Sequence, residues 1–295
     1  VYVSGTFNLY DGSIADNDTG SKKANPGGGV AVADRGKFYM YGGTITGNTA
    51  SSGGGVDLSG GTFNMTGGEI TGNTAYGTET NGGGGVCVSK GTFTMSGNAV
   101  ISGNTTEGGG GGVRVSNGTF TMKETAVISG NKAAGSGGGV CVTDGTFNME
   151  GGTIGGDTAN GNTAYGRGGG GVYVYNSTFK MKNGTISGNS ADNSKGGSGY
   201  GGGVYADGNC TLTMSGNAAI SGNTAASSYG GGVYMDDHNG QSSFTMSDNA
   251  AISGNTTKSY GGGVCVKYGT FTMNGGTISG NAATGINGDG GGVYV

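Results

Sequence analysis

The sequence predicts an all-β fold: a right-handed, single-stranded parallel β-helix of about ten coils, with three short strands per coil. Three observations carry that prediction. There are 76 glycines and one proline in 295 residues, the string GGGV returns at near-constant spacing, and apolar residues alternate with polar ones after each return. Collagen needs glycine at every third position with abundant proline, and a flexible glycine linker would lack regularly spaced apolar residues. Neither description fits.

The first strand opens on a valine: Val1, Val30, Val56, Val86, Val113, Val140, Val172, Val204, Val233, Val264 and Val293, spaced 26 to 32 residues apart. Val-x-Val places both valines on one face of an extended chain. The second strand is T-F-x-M. Its aromatic station runs Phe7, Phe38, Phe63, Phe93, Phe120, Phe147, Phe179, Leu212, Phe244 and Phe271, with Met two residues later in all but the first coil, where Leu9 stands. The third strand carries an isoleucine followed three residues on by asparagine. One such coil cannot bury its apolar side. Stacking coils at the ~4.8 Å strand spacing lines valine, phenylalanine and isoleucine into interior ladders. Parallel crossovers are overwhelmingly right-handed, hence the expected hand.

The asparagines are Asn17, Asn48, Asn73, Asn104, Asn131, Asn189, Asn223, Asn255 and Asn281, with Asp157 in the remaining coil. They are expected at a corner, forming a ladder that bonds turn backbone and the amides of adjacent coils. Length varies mainly between that residue and the next valine, so loops there must leave the stack on one side. The whole chain, 1–295, reads as one domain. It opens on Val1 without an initiator Met and shows no capping repeat at either end. That predicts a piece of a longer solenoid or a head-to-tail filament.

The alternation of GGGV with I-x-G-N resembles the paired repeats of the polymorphic outer-membrane proteins, GGA followed by Ile, Leu or Val, and FxxN. More broadly it is similar to the β-helical passenger domains of autotransporters and to adhesin-like bacterial surface proteins. Isoleucine stands here where that family has Phe before x-x-Asn. The resemblance covers essentially the whole chain and implies display on a bacterial surface and adhesion.

Net charge is −4 with 11% charged residues, which gives no footprint for nucleic acid or an acidic membrane, and no apolar run is long enough to span a bilayer. The leading expectation is a non-enzymatic extracellular structural or adhesin-like protein, possessing no cofactor and self-associating end to end or laterally. Glycans or host surface proteins are its expected partners.

Candidate sites lie on the outward positions. The residue between the two valines forms a column that is tyrosine-rich in its second half, Tyr173, Tyr205, Tyr234 and Tyr294. An exposed tyrosine strip would serve as a binding or lateral contact surface; the alternative is that tyrosine simply favours strands. The glycine triplets either present bare backbone to a partner or permit a strained turn into each first strand. Asp207, Asp236 and Asp237, beside the sole histidine His238, form the only acidic cluster. It reads as a solvated turn, a weak Ca²⁺ site, or the acid and base of a carbohydrate-active β-helix, a polysaccharide lyase or hydrolase. Outward threonines such as Thr92 and Thr94 form a grid like that of ice-binding proteins, interrupted by Lys37, Tyr39, Asn64 and Lys180. Cys87 and Cys141 share a column two coils apart, about 9.6 Å, beyond disulfide reach. Cys210 and Cys265 are also two coils apart on different stations, so all four are expected as free thiols. The sequons at Asn117 and Asn183 follow from composition.

Overall fold

A computed structural model describes residues 1–20, 26–78, 81–226 and 229–295. Among these every regular element is a β-strand, and the strands pair in parallel into four stacked sheets of eleven, ten, ten and nine strands. The coil that opens at Val86 shows the plan: Val86–Ser89, Thr92–Met95, Val100–Ser102 and Thr105–Thr106, each followed by a turn into the next sheet. Register is strict. Val86 pairs with Val113, Phe93 with Phe120 and Ile101 with Ile128.

The β-solenoid is therefore as predicted, but three strands per coil becomes four. The extra strand lies just after the asparagine, as in Thr49–Ala50 and Thr74–Ala75, and nine coils contribute one. Two residues hold no alternating pattern that a reader of sequence could detect. Its inward residue is small, as at Ala50, Ala75, Ala133 and Ala191, all fully buried.

Inside, the predicted ladders form. Phe38, Phe63, Phe93, Phe120, Phe147 and Phe179 stack face to face with centroids 4.6 to 4.9 Å apart. Parallel in-register strands impose that spacing, since each ring sits one coil above its counterpart. The stack breaks at Leu212 and resumes between Phe244 and Phe271 at 5.0 Å.

The asparagines form a second ladder, buried from Asn48 to Asn255. Asn73 Nδ2 donates to the Ile45 carbonyl of the preceding coil at 2.9 Å and to Asn104 Oδ1 of the following coil at 3.0 Å, so one side chain ties three coils together. In the coil where the sequence places Asp157, the ladder position belongs to Asn162. Asn131 donates to Asn162 Oδ1, and Asn162 donates to Asn189 Oδ1. Asp157 instead accepts the backbone N–H groups of Ala159 and Asn160 in an exposed turn inserted ahead of the ladder.

From Gly27 to Gly263 the glycine triplets are buried, so of the two readings the strained turn into each first strand holds and bare backbone open to a partner does not. In Gly83-Gly84-Gly85 each glycine meets a different demand. Gly83 turns at φ +72, a conformation that side chains disfavour. A Cβ on Gly84 would lie 2.5 Å from the Thr105 carbonyl oxygen, and one on Gly85 would lie 2.7 Å from that of Gly112. Only glycine lets successive coils approach so closely there.

Candidate functional site

Two regions of the outer surface follow from this frame: the outward column of the first sheet, and the corner between the first and second sheets.

Register makes the column continuous, through Asp57, Cys87, Arg114, Cys141, Tyr173, Tyr205, Tyr234 and Cys265. It is not the exposed strip that the sequence suggested. Tyr173, Tyr205 and Tyr234 are 7%, 4% and 1% exposed, whereas Tyr294 is 38% exposed. The segment running from the fourth strand to the glycine triplet folds back over the column and adds its own aromatics. Tyr200 packs against Tyr205 and Tyr234, and Tyr229 against Tyr234 and Tyr260. The result is a second, smaller apolar core on the outside of the sheet. Alternation within a strand says which way a side chain points, but not whether a distant loop will cover it.

The hydroxyls beneath that cover are used. Tyr173 donates to Asp207 Oδ2 at 3.0 Å, where Arg167 also binds at 3.1 Å, and Tyr234 donates to Asp236 Oδ2 at 2.9 Å. Burial pushes the phenols of Tyr173, Tyr205 and Tyr234 up, and the neighbouring carboxylates push them further. All four cysteines are free thiols and buried. Burial raises Cys87 and Cys210 to about 11, and raises Cys265 to about 12 with help from the Asp236 charge. Burial also raises Cys141, against the opposing pull of the Arg114 guanidinium, whose Nη1 lies 3.4 Å from its sulfur. Such thiols are shielded from reagents and held protonated.

Asp207, Asp236 and Asp237 do not share a site. Asp207 and Asp236 are register partners in adjacent coils, as expected, but Asp207 is held by Tyr173 and Arg167 and Asp236 by Tyr234. Asp237 turns into its own loop and accepts N–H groups from Asn239, Gln241 and Ser242. Burial opposes its charge, yet those three amides outweigh it and hold its carboxyl below the usual range. His238 packs its ring 5.5 Å from Tyr268. Among the described residues no group of three or more His, Cys, Asp or Glu side chains is placed to hold a metal ion, and no helix is long and apolar enough to cross a membrane.

The corner between the first and second sheets carries a shallow trough of about 560 Å³ across four coils. One wall is Asn117, Asp144, Asn176 and Asn209, all exposed; the other is the opening threonine of the second strand, Thr119, Thr146, Thr178 and Thr211. Strand pairing sets the threonines one coil apart in a straight row. The signal for this trough was present in the sequence as an Asn or Asp two residues before T-F, and it was missed because those residues read as ordinary turn formers.

Comparison of the chain with models of known protein families, with curated proteins and with solved structures finds no match.

Proposed function

We propose that this chain is a non-enzymatic structural protein of the bacterial cell surface, an adhesin-like extracellular rod that self-associates and presents a repeated polar face to glycans or host proteins. The observation that carries this reading is the strict register of the four sheets. It repeats an outer pattern rich in Thr, Ser and Asn at most of about ten coils, close to 50 Å at the strand spacing. A surface that repeats along an axis suits multivalent contact, in which many weak contacts add up. The resemblance to surface β-helix repeats points the same way. Asp207 and Asp236, the pair on which a glycan-cleaving reading would rest, are tied to Arg167, Tyr173 and Tyr234, and this favours a structural role for them.

Protease treatment of intact source cells, followed by immunoblotting, tests the location, and binding of protein-coated beads to epithelial monolayers tests adhesion. Loss of the band without lysis, with bead attachment above an albumin control, is the expected result. A protease-resistant band that becomes sensitive only after lysis would overturn the surface assignment.

A further inference from the structure

The geometry of the corner trough points to a binding site for a neutral linear polysaccharide lying parallel to the solenoid axis, an assignment that rests on the surface-protein reading and gives it a ligand. The trough has a floor as well as walls. Gly118 and Gly145 leave it open, and in the next coil Ser177 turns its hydroxyl inward to the Tyr175 carbonyl and receives the Gly145 N–H. The walls therefore stand above a floor free of projecting side chains.

Its chemistry is that of a sugar site. Carboxamides and hydroxyls both donate and accept, as sugar hydroxyls do. Among the described residues the side chains of Asn117 and Asp144 and the four threonine hydroxyls have no hydrogen-bond partner within the protein, so they are free for a ligand. No aliphatic side chain lines the trough, which disfavours lipid or an apolar peptide. No Lys or Arg lines it either and Asp144 is the single charge, which disfavours acidic polysaccharides and nucleic acid. Next to Asn176 in sequence, Tyr175 is 37% exposed and carries an aromatic ring of the kind that packs on sugar C–H groups.

The left-handed turn keeps side chains in the walls: Asn117, Asp144 and Asn176 stand at φ +53, +51 and +47 where Gly60 stands at +109, and the same position holds Arg35 and Lys90 at +66 and +61 outside the trough. Asn and Asp tolerate that backbone, so a carboxamide or carboxylate can be set there. The row also repeats at the ~4.8 Å coil spacing, close to the residue repeat of an extended hexose chain, so successive sugars meet equivalent groups.

Affinity electrophoresis through gels containing hydroxyethylcellulose, xylan, galactomannan or polygalacturonate tests the proposal on the full chain. Retardation by at least one neutral polymer and none by polygalacturonate is expected. The double variant Thr146→Val/Thr178→Val and the double variant Asp144→Gly/Asn176→Gly should each weaken that retardation at least tenfold. The valines keep strand preference and the glycines relieve left-handed backbone, so both variants should hold the wild-type circular dichroism spectrum. Thr94→Val/Thr121→Val, on the same sheet outside the trough, should leave retardation unchanged. Retardation by none of the neutral polymers, or equal retardation of wild type and both trough variants, would overturn the site. Beads carrying the wild-type chain separate the two levels: if they attach to cells while no neutral polymer retards that chain, the polysaccharide assignment fails and the adhesin reading stands.

Discussion

Asn104 Oδ1 accepts two hydrogen bonds from Asn73, one from its backbone N–H at 2.9 Å and one from its carboxamide at 3.0 Å. Asn104 in turn donates to the Ile70 carbonyl at 2.9 Å and to Asn131 Oδ1 at 3.0 Å. All three asparagines are fully buried. The same bonds recur from coil to coil, so the ladder gives the backbone N–H of each buried asparagine an acceptor.

Asn104→Ala is expected to lower the unfolding free energy by about 3 kcal/mol, since it takes from the Asn73 backbone N–H and carboxamide the oxygen they share, away from water. Asn104→Asp should be nearly as damaging. It keeps the acceptor but removes both donors and sets an oxygen against Asn131 Oδ1. Asn17→Ala, at an exposed rung, should cost less than about 1 kcal/mol. Urea unfolding of the three variants measures this, and equal losses at Asn17 and Asn104 would rule out burial as the source of the ladder's strength.

Much of this architecture was legible before any coordinates. Val-x-Val, Phe-x-Met and the isoleucine before asparagine each carry an inward residue at a fixed station, and a stack of identical coils is the arrangement that buries them all. What was not legible depended on tertiary cover or on very short elements. Tyr205 points outward from its strand, as its position between Val204 and Ala206 requires, but is buried because Tyr200 lies over it. Thr74–Ala75 is a strand only because Thr49–Ala50 and Thr105–Thr106 lie beside it. Asp157 holds the expected spacing from Ile154, but an inserted turn carries Asn162 into the ladder instead. The trough at Asn117, Asp144 and Asn176 escaped notice because its meaning comes from the row of threonines facing it.

The phenylalanine stack makes a prediction about shape. Phe120 lies between Phe93 and Phe147 at 4.9 and 4.8 Å and is fully buried. Phe120→Ala removes contacts on both ring faces and should cost about 3 to 5 kcal/mol. Phe120→Leu should cost far less, about 1.5 kcal/mol or under, because Leu212 already fills the same station between Phe179 and Phe244. Thermal or urea midpoints distinguish the two, and similar losses for Leu and Ala would mean that ring stacking, rather than filled volume, dominates.

The buried thiols predict an alkaline limit to stability. Cys87 and Cys210 are raised from 9.0 to about 11, and Cys265 to about 12, chiefly by burial. Below pH 9 both folded and unfolded chains hold these protons, so the thiols impose no pH dependence there. Between pH 9 and about 11 the unfolded chain releases them and the folded chain keeps them. Stability must then fall as pH rises, by about 1.4 kcal/mol per pH unit for each fully buried thiol. Urea midpoints should be flat from pH 7 to 8.5 and drop steeply by pH 10.5, and Cys87→Ala should shallow that drop relative to its own value at pH 8. In native buffer at pH 8 a thiol reagent should label none of the four cysteines within minutes, and all four after denaturation. Rapid labelling of Cys87 in the folded protein would show that the loop cover over the column opens readily, and the predicted alkaline slope would then be lost with it.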